Sequence, residues 1–232
     1  MKSKIIFGPA GRPIDYKGTA FTAPSYIAEE GLSAYEYQGG RGLRIGEKSA
    51  KVLKKESEAN DILVSLHAPY FINLANEDEK KRDSSIEILS KSAQIAEWMG
   101  AYRIVFHPGY YSKNTPADAL KIAKMNINIL LERLNEEGIA NFTFAPETTG
   151  KRSQLGNIDE IIDLCHSFDC FEPTIDFAHI HARGRGYIKN KDNYNCVLSK
   201  LEDNLDIDVL HCHFTRIEYT NAGERRHHTY DE

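Results

Sequence analysis

The feature that most constrains the fold is a repeated event. A short apolar run delivers a metal-type side chain, and the chain then turns away. Residues 62–66 (Ile-Leu-Val-Ser-Leu) deliver His67, and residues 102–106 deliver His107 ahead of Pro108-Gly109. Residues 141–145 lead through Pro146 to Glu147, and residues 173–175 lead to Asp176, with His179 three residues on. Residues 207–210 lead to His211 and His213. From His67 through His107, Glu147 and Asp176 to His213 the steps are 40, 40, 29 and 37 residues. One strand with its crossover helix and loops needs ~30 residues or more, so each step is one strand–helix unit. The ligand-type residues recur at strand ends, where active sites of parallel α/β barrels lie.

The rest of the pattern agrees. Strands are expected at 4–7 and 32–37 besides the five above, making seven. Helices are expected at 24–30, 48–59, 79–99, 116–137, 159–166 and 193–203. The third carries an apolar stripe of Ile86, Leu89, Ala93, Ile95 and Ala96 near helical spacing. The fourth opens with Thr115 as cap and Pro116 at the first helical position, and Gly138 closes it. Alternating strands and helices imply a parallel sheet. An open doubly wound sheet would gather its ligand groups at one switch point. Here they come from five strands, so we expect an α/β fold of the TIM-type (β/α) barrel kind. No linker or low-complexity segment divides the 232 residues, and a single domain over 1–232 is expected.

Composition narrows the function. A hydrophobic content of 41% supports a core, while 27% charged residues and no long apolar run argue against a membrane span. Met1-Lys2-Ser3-Lys4 is followed by too few apolar residues for a signal peptide, so a cytoplasmic location is expected. Cys165, Cys170, Cys196 and Cys212 form no Cys-x-x-Cys pair and read as reduced thiols. The net charge of −5 carries no overall nucleic-acid signature, although a local basic rim could serve. Burying His67, His107, Glu147, Asp176, His179 and His213 together would cost several kcal/mol without partners. Divalent cations would satisfy them, and mixed imidazole and carboxylate donors suit zinc or manganese.

These residues carry a resemblance. Ser65-Leu66-His67-Ala68-Pro69-Tyr70, Phe106-His107-Pro108-Gly109, Pro146-Glu147-Thr148-Thr149-Gly150, Ile175-Asp176-Phe177-Ala178-His179, His213-Phe214 and Arg226-His227-His228 stand in the order of the endonuclease IV family. That family of apurinic/apyrimidinic endonucleases lies within the xylose-isomerase-like barrels. The resemblance implies a zinc-dependent hydrolase that cuts the phosphodiester 5′ to an abasic site in double-stranded DNA, a step of base excision repair, acting as a monomer. It implies two or three zinc ions, with manganese as the alternative metal. His67, His107 and Glu147 would hold the first. Glu147, also the catalytic centrepiece, would bridge to a second shared with Asp176 and His213. His179 and His227 would hold the third.

Three departures from the family are visible. Its aspartate two residues before the histidine matched by His227 is Arg225 here, leaving either Glu224 as a substitute or a weaker third site. Its Glu-Asn-Thr is Glu147-Thr148-Thr149. Its eighth-strand glutamate has no counterpart, since five residues follow His227 and a further unit needs ~30. A barrel lacking its eighth strand–helix unit in this chain is therefore expected. Among the basic loop residues Arg41, Arg44, Lys151, Arg152, Arg183, Arg185, Lys189 and Arg216, those assigned to DNA are Arg41, Arg183, Arg185 and Arg216, with Tyr70 beside the abasic sugar. Two alternatives remain at this point. One is a sugar isomerase or epimerase of the same superfamily, which would need about one metal. The other is a barrel that binds damaged DNA without cutting it.

Overall fold

The computed structural model describes residues 5–228. The chain forms two compact units, neither of them a continuous stretch. The first comprises Met1–Phe71, Glu87–Phe106 and Leu130–Thr143, the second Ile72–Ile86, His107–Ile129 and Phe144–Glu232. The long helices α3 (Glu79–Met99) and α4 (Pro116–Glu136) each supply residues to both. No helix among the described residues is long and apolar enough to cross a membrane.

In the first unit three parallel strands lie in the order β1 (Ala34–Gln38), β2 (Leu63–His67), β3 (Ile104–Phe106). Val64 to His67 are all buried, as expected of a parallel strand covered on both faces. Helices α1 (Ala23–Glu29) and α2 (Glu47–Ala59) complete the unit with the second half of α3. Leu89, Ala93, Ile95 and Ala96, from the expected stripe, are all buried.

The strand expected at 4–7 is displaced. Lys4 lies outside the described residues. Residues 7–11 run beside β1, with Ala34 N donating to Phe7 O (3.0 Å), Glu36 N to Pro9 O (3.0 Å) and Gly11 N to Glu36 O (2.9 Å). Gly8 and Pro9 keep this from becoming a regular strand. A Cβ on Gly8 would sit 1.7 Å from Ala34 O, so only glycine permits that approach.

In the second unit β5 (Phe144–Pro146) continues into Glu147, which bridges in parallel to Thr174. Strand β7 (Thr174–Asp176) pairs in parallel with β8 (His211–His213), with Asp176 opposite His213. Helix α5 (Ile158–Ser167) precedes β7, and α6 (Phe177–Arg183) and α7 (Lys191–Glu202) both lie between β7 and β8. The strand expected at 207–210 forms instead at 211–213. Ile207 and Leu210 pack against the cluster of Ile162, Ile175, Phe177, Ile188, Val197 and Leu201, so their apolar character reflects packing ahead of the strand.

Two further pairings escaped the pattern. Strand β4 (Gly109–Tyr110) pairs antiparallel with β6 (Gln154–Leu155), and β9 (Arg216–Thr220) with β10 (Gly223–His228). All four cysteines are free.

Gly109 shows how tightly the loop after His107 is set. Its φ is +141°, and a Cβ there would stand 2.3 Å from Asn73 Oδ1 and 3.0 Å from Asn73 Cα. That same oxygen accepts Tyr110 N at 3.0 Å, and Leu74 N donates to Pro108 O at 2.9 Å. Gly109→Ala is expected to cost about 2 kcal/mol, a fall of roughly 4–8 °C in Tm for a chain of this size. An unchanged melting curve would contradict this account of the turn.

Candidate metal centre

Six of the seven residues assigned to metal lie in the second unit. Glu147 follows Pro146 at the end of β5 and is 1% exposed. Its Oε2 is 3.0 Å from His107 Nε2, while its Oε1 is 3.0 Å from His213 Nδ1 and 3.3 Å from His179 Nδ1. The two oxygens thus face different imidazoles. Burial works against the Glu147 anion, but His213 and His107 outweigh it and hold the carboxyl well below its ordinary range.

Asp176 and His179 owe their placement to a helix start. Asp176 caps α6, its Oδ1 accepting His179 N at 2.7 Å. The Asp-x-x-His spacing therefore brings carboxylate and ring to one end of the helix. Burial, aided by the Glu147 charge, pushes the Asp176 carboxyl up. His179 is 3% exposed. Burial disfavours its charged form, yet the Asp176 and Glu147 carboxylates outweigh that and raise it to about 9. Ligand-type atoms of Glu147, Asp176 and His213, and of Asp176, His179 and His227, converge within 4.8 Å.

Thr148, which stands where the family has asparagine, holds the arrangement together. Its Oγ1 accepts Asp176 N at 2.9 Å, and its carbonyl lies 2.8 Å from His179 Nδ1. A carbonyl only accepts, so that Nδ1 carries a proton, and Nε2 is the nitrogen that would give up its proton to offer a lone pair to a cation. Sequence reading assigned Thr148 no part. Only the fold, which sets it across from Asp176, identifies it.

The hairpin of β9 and β10 brings the remaining groups. It docks through Glu224 N to Gly150 O and Arg152 N to Ala222 O, each at 3.0 Å. His227 Nε2 then faces His179 Nε2 at 3.1 Å, with His227 Nδ1 2.6 Å from Thr215 Oγ1. Burial and the neighbouring His179 keep His227 below its ordinary pKa. Glu224 Oε2 lies 3.6 Å from His179 Nε2, and Oε1 lies 3.7 Å from His227 Nε2. A Cβ on Gly150 would fall 2.6 Å from Glu224 Cβ and 2.9 Å from His179 Cδ2, so glycine leaves the room Glu224 occupies. Arg225 instead pairs with Glu218, as does Arg226 at 3.1 Å, across a register shift in the hairpin.

These groups fit a divalent cation. Two ring nitrogens facing one another need a proton or a cation between them. Nitrogens at 2.0–2.1 Å from a tetrahedral zinc would stand about 3.3 Å apart, close to the 3.1 Å spacing found here. His211, which the sequence reading did not assign, adds Nε2 at 3.4 Å from His213 Nε2.

The seventh residue, His67, belongs to the first unit. It ends β2 and is 5% exposed. Its Nδ1 lies 2.8 Å from Ala68 O, so a neutral ring presents Nε2. The Tyr70 ring is 5.5 Å from it, and Tyr70 OH reaches Gln38 Oε1 at 3.5 Å. Arg41 is exposed in the loop after β1, and Arg216 is exposed on β9. Arg183 and Arg185 are at the end of α6, away from the metal-type side chains in their bonding.

Parallel strands followed by helices, with ligand-type side chains at the strand ends, define a protein of the α/β TIM-barrel class. The chain belongs to the xylose isomerase-like TIM barrel family, whose model matches residues 24–232. It is 39% identical over 226 residues to an uncharacterized protein of Methanocaldococcus jannaschii, covering 96% of this chain and 81% of that one. It is 25% identical over 226 residues to the probable endonuclease 4 of Aster yellows witches'-broom phytoplasma, covering 93% and 76%. Among solved structures, endonuclease IV from Thermus thermophilus matches with a TM-score of 0.62 at 20% identity, over 84% of this chain and 71% of that one. A D-tagatose 3-epimerase-like protein matches with a TM-score of 0.65, also at 20% identity, over 85% and 73%. At that identity the two structures speak for the fold alone. The relatives support the resemblance to the endonuclease IV family.

Proposed function

We propose that this protein is a metal-dependent apurinic/apyrimidinic endonuclease that hydrolyses the DNA phosphodiester 5′ to an abasic site. The observation that carries the reading is Glu147. A buried carboxylate whose two oxygens face different imidazoles would be suited to sharing between two cations, and a pair of cations suits in-line attack on phosphorus. Within the second unit His107 and Glu147 would hold one ion, Glu147, Asp176 and His213 a second, and His179, His227 and Glu224 a third. When bound, such ions lower the pKa of a coordinated water to ~7 and neutralise phosphate oxygens.

The chain's own part is positioning. Thr148 fixes the tautomer of His179 and the backbone of Asp176, so the donors need not reorganise when a substrate arrives. Glu147 stays ionised because His213 and His107 surround it. Tyr70, half exposed beside His67, would pack against an abasic sugar, and Arg41 and Arg216 would meet the backbone.

The test is incision of a duplex carrying a tetrahydrofuran abasic analogue, alongside metal content per chain. We expect incision abolished by a chelator and restored by zinc or manganese, with two or three ions bound. One ion and no incision would point to the sugar isomerase or epimerase reading. Tight duplex binding without incision would point to a non-cutting lesion binder.

A further inference from the structure

The second unit has a cavity of about 530 Å³ that contains none of the metal-type side chains. Tyr111, Arg152, Asn157, Arg183 and Arg185 line it. Three arginines therefore line one space, with no carboxylate-bearing residue in its wall.

The cavity is a built one. Arg183 Nη1 donates to Lys151 O (2.6 Å), Gln154 O (3.0 Å) and Thr149 Oγ1 (3.3 Å), and Nη2 donates to Tyr111 OH (2.7 Å). These bonds aim the guanidinium and leave its Nε–H without a protein acceptor among the described residues. Tyr111 OH in turn donates to Glu160 Oε1 at 2.8 Å. Burial and Glu160 raise Tyr111 to about 12, so its hydroxyl adds no negative charge. Glu160 is buried behind it, accepting Gly156 N and Asn157 N at 2.8 Å each.

The other two arginines are exposed and have no side-chain partner among the described residues. Arg185 holds φ +53° between Gly184 and Gly186. The left-handed region costs a non-glycine residue roughly 1–2 kcal/mol, so glycine would be more stable at this helix end. An arginine kept there against that cost, facing two others, is an outlier of the kind found at binding sites.

We propose that this cavity is a phosphate-binding subsite separate from the metal centre. Planar guanidinium groups match phosphate oxygens in paired hydrogen bonds. The phosphate could come from a nucleic-acid backbone or from a free phosphate ester. Assignment to a DNA strand rests on the function proposed above, and the existence of the subsite does not.

The test uses the metal-loaded full chain with undamaged duplex and inorganic phosphate as two probes. Phenylglyoxal modification of Arg152 and Arg185, read by peptide mass, should slow when either probe is present. In Arg152→Gln/Arg185→Gln the log–log salt dependence of duplex binding should fall by about 1.8, ~0.9 per lost contact, with metal content unchanged. Protection by phosphate with an unchanged slope would support the subsite and assign it to a free phosphate ester. Absence of protection by both probes, with an unchanged slope, would overturn the proposal. Protection in a protein that does not incise abasic DNA would sink the nuclease reading and leave the subsite standing.

Discussion

Glu147→Gln is expected to lower incision by on the order of 10³-fold or more while the protein stays folded. The amide keeps the shape of the side chain and removes its charge. In the native chain the two oxygens stand 3.0 Å from His107 Nε2 and His213 Nδ1. An amide offers one weak acceptor and one donor in their place, so it cannot bridge two cations. With the proposed metals, losing such a bridge would forfeit several kcal/mol of charge stabilisation, and each 1.36 kcal/mol is about tenfold in rate. Bound metal should fall by at least one ion per chain. Circular dichroism should be unaltered, because the change leaves the packing intact. Near-normal incision by a folded Glu147→Gln protein would remove the basis of the metal centre.

Glu224→Ala is expected to release one ion per chain and to lower incision by about 10–100-fold, a range typical when a metal site loses a supporting group. The carboxylate approaches both facing imidazoles, at 3.6 and 3.7 Å, in a space that Gly150 keeps clear. Restoring the aspartate of the family pattern should not help. The side chain at 225 turns to Glu218 rather than to His179 and His227, so Glu224→Ala/Arg225→Asp should remain as poor in metal as the single variant. Gly150→Ala should mimic it, since the new Cβ would occupy the place of Glu224. Recovery of metal in the double variant would show that the hairpin register differs from the one described here.

Much of the site could be read along the chain because parallel α/β architecture writes it in a simple form. Each apolar run leads to a ligand-type residue, and His107, Glu147, Asp176 and His213 appear one per strand–helix unit. Asp176 and His179 were legible as a pair because an N-cap and the third helical position share one end of a helix. Helices such as α3 were legible from a stripe of period 3.6. The hairpin of β9 and β10 was not. Its six-residue strand Gly-Glu-Arg-Arg-His-His is almost wholly polar, and its regularity comes from docking on residues 150–152.

The arginines divide on the same line. By composition Arg152, Arg183 and Arg185 are alike, three cations in loops past strand ends. All three line the cavity, but Arg183 commits its Nη groups to Lys151, Gln154, Thr149 and Tyr111, while the side chains of the other two have no partner among the described residues. Sequence by itself determined the alternating architecture, the strand-end placement of the ligand-type residues and their kinship with the endonuclease IV family. These follow from local periodicity and from the order of short motifs. Only the tertiary structure decided that Glu224 rather than residue 225 faces His179, that Thr148 sets a tautomer, and which arginines remain available. Those outcomes depend on a β-bulge, a backbone carbonyl and a close approach at Gly150, each formed between segments far apart in the chain.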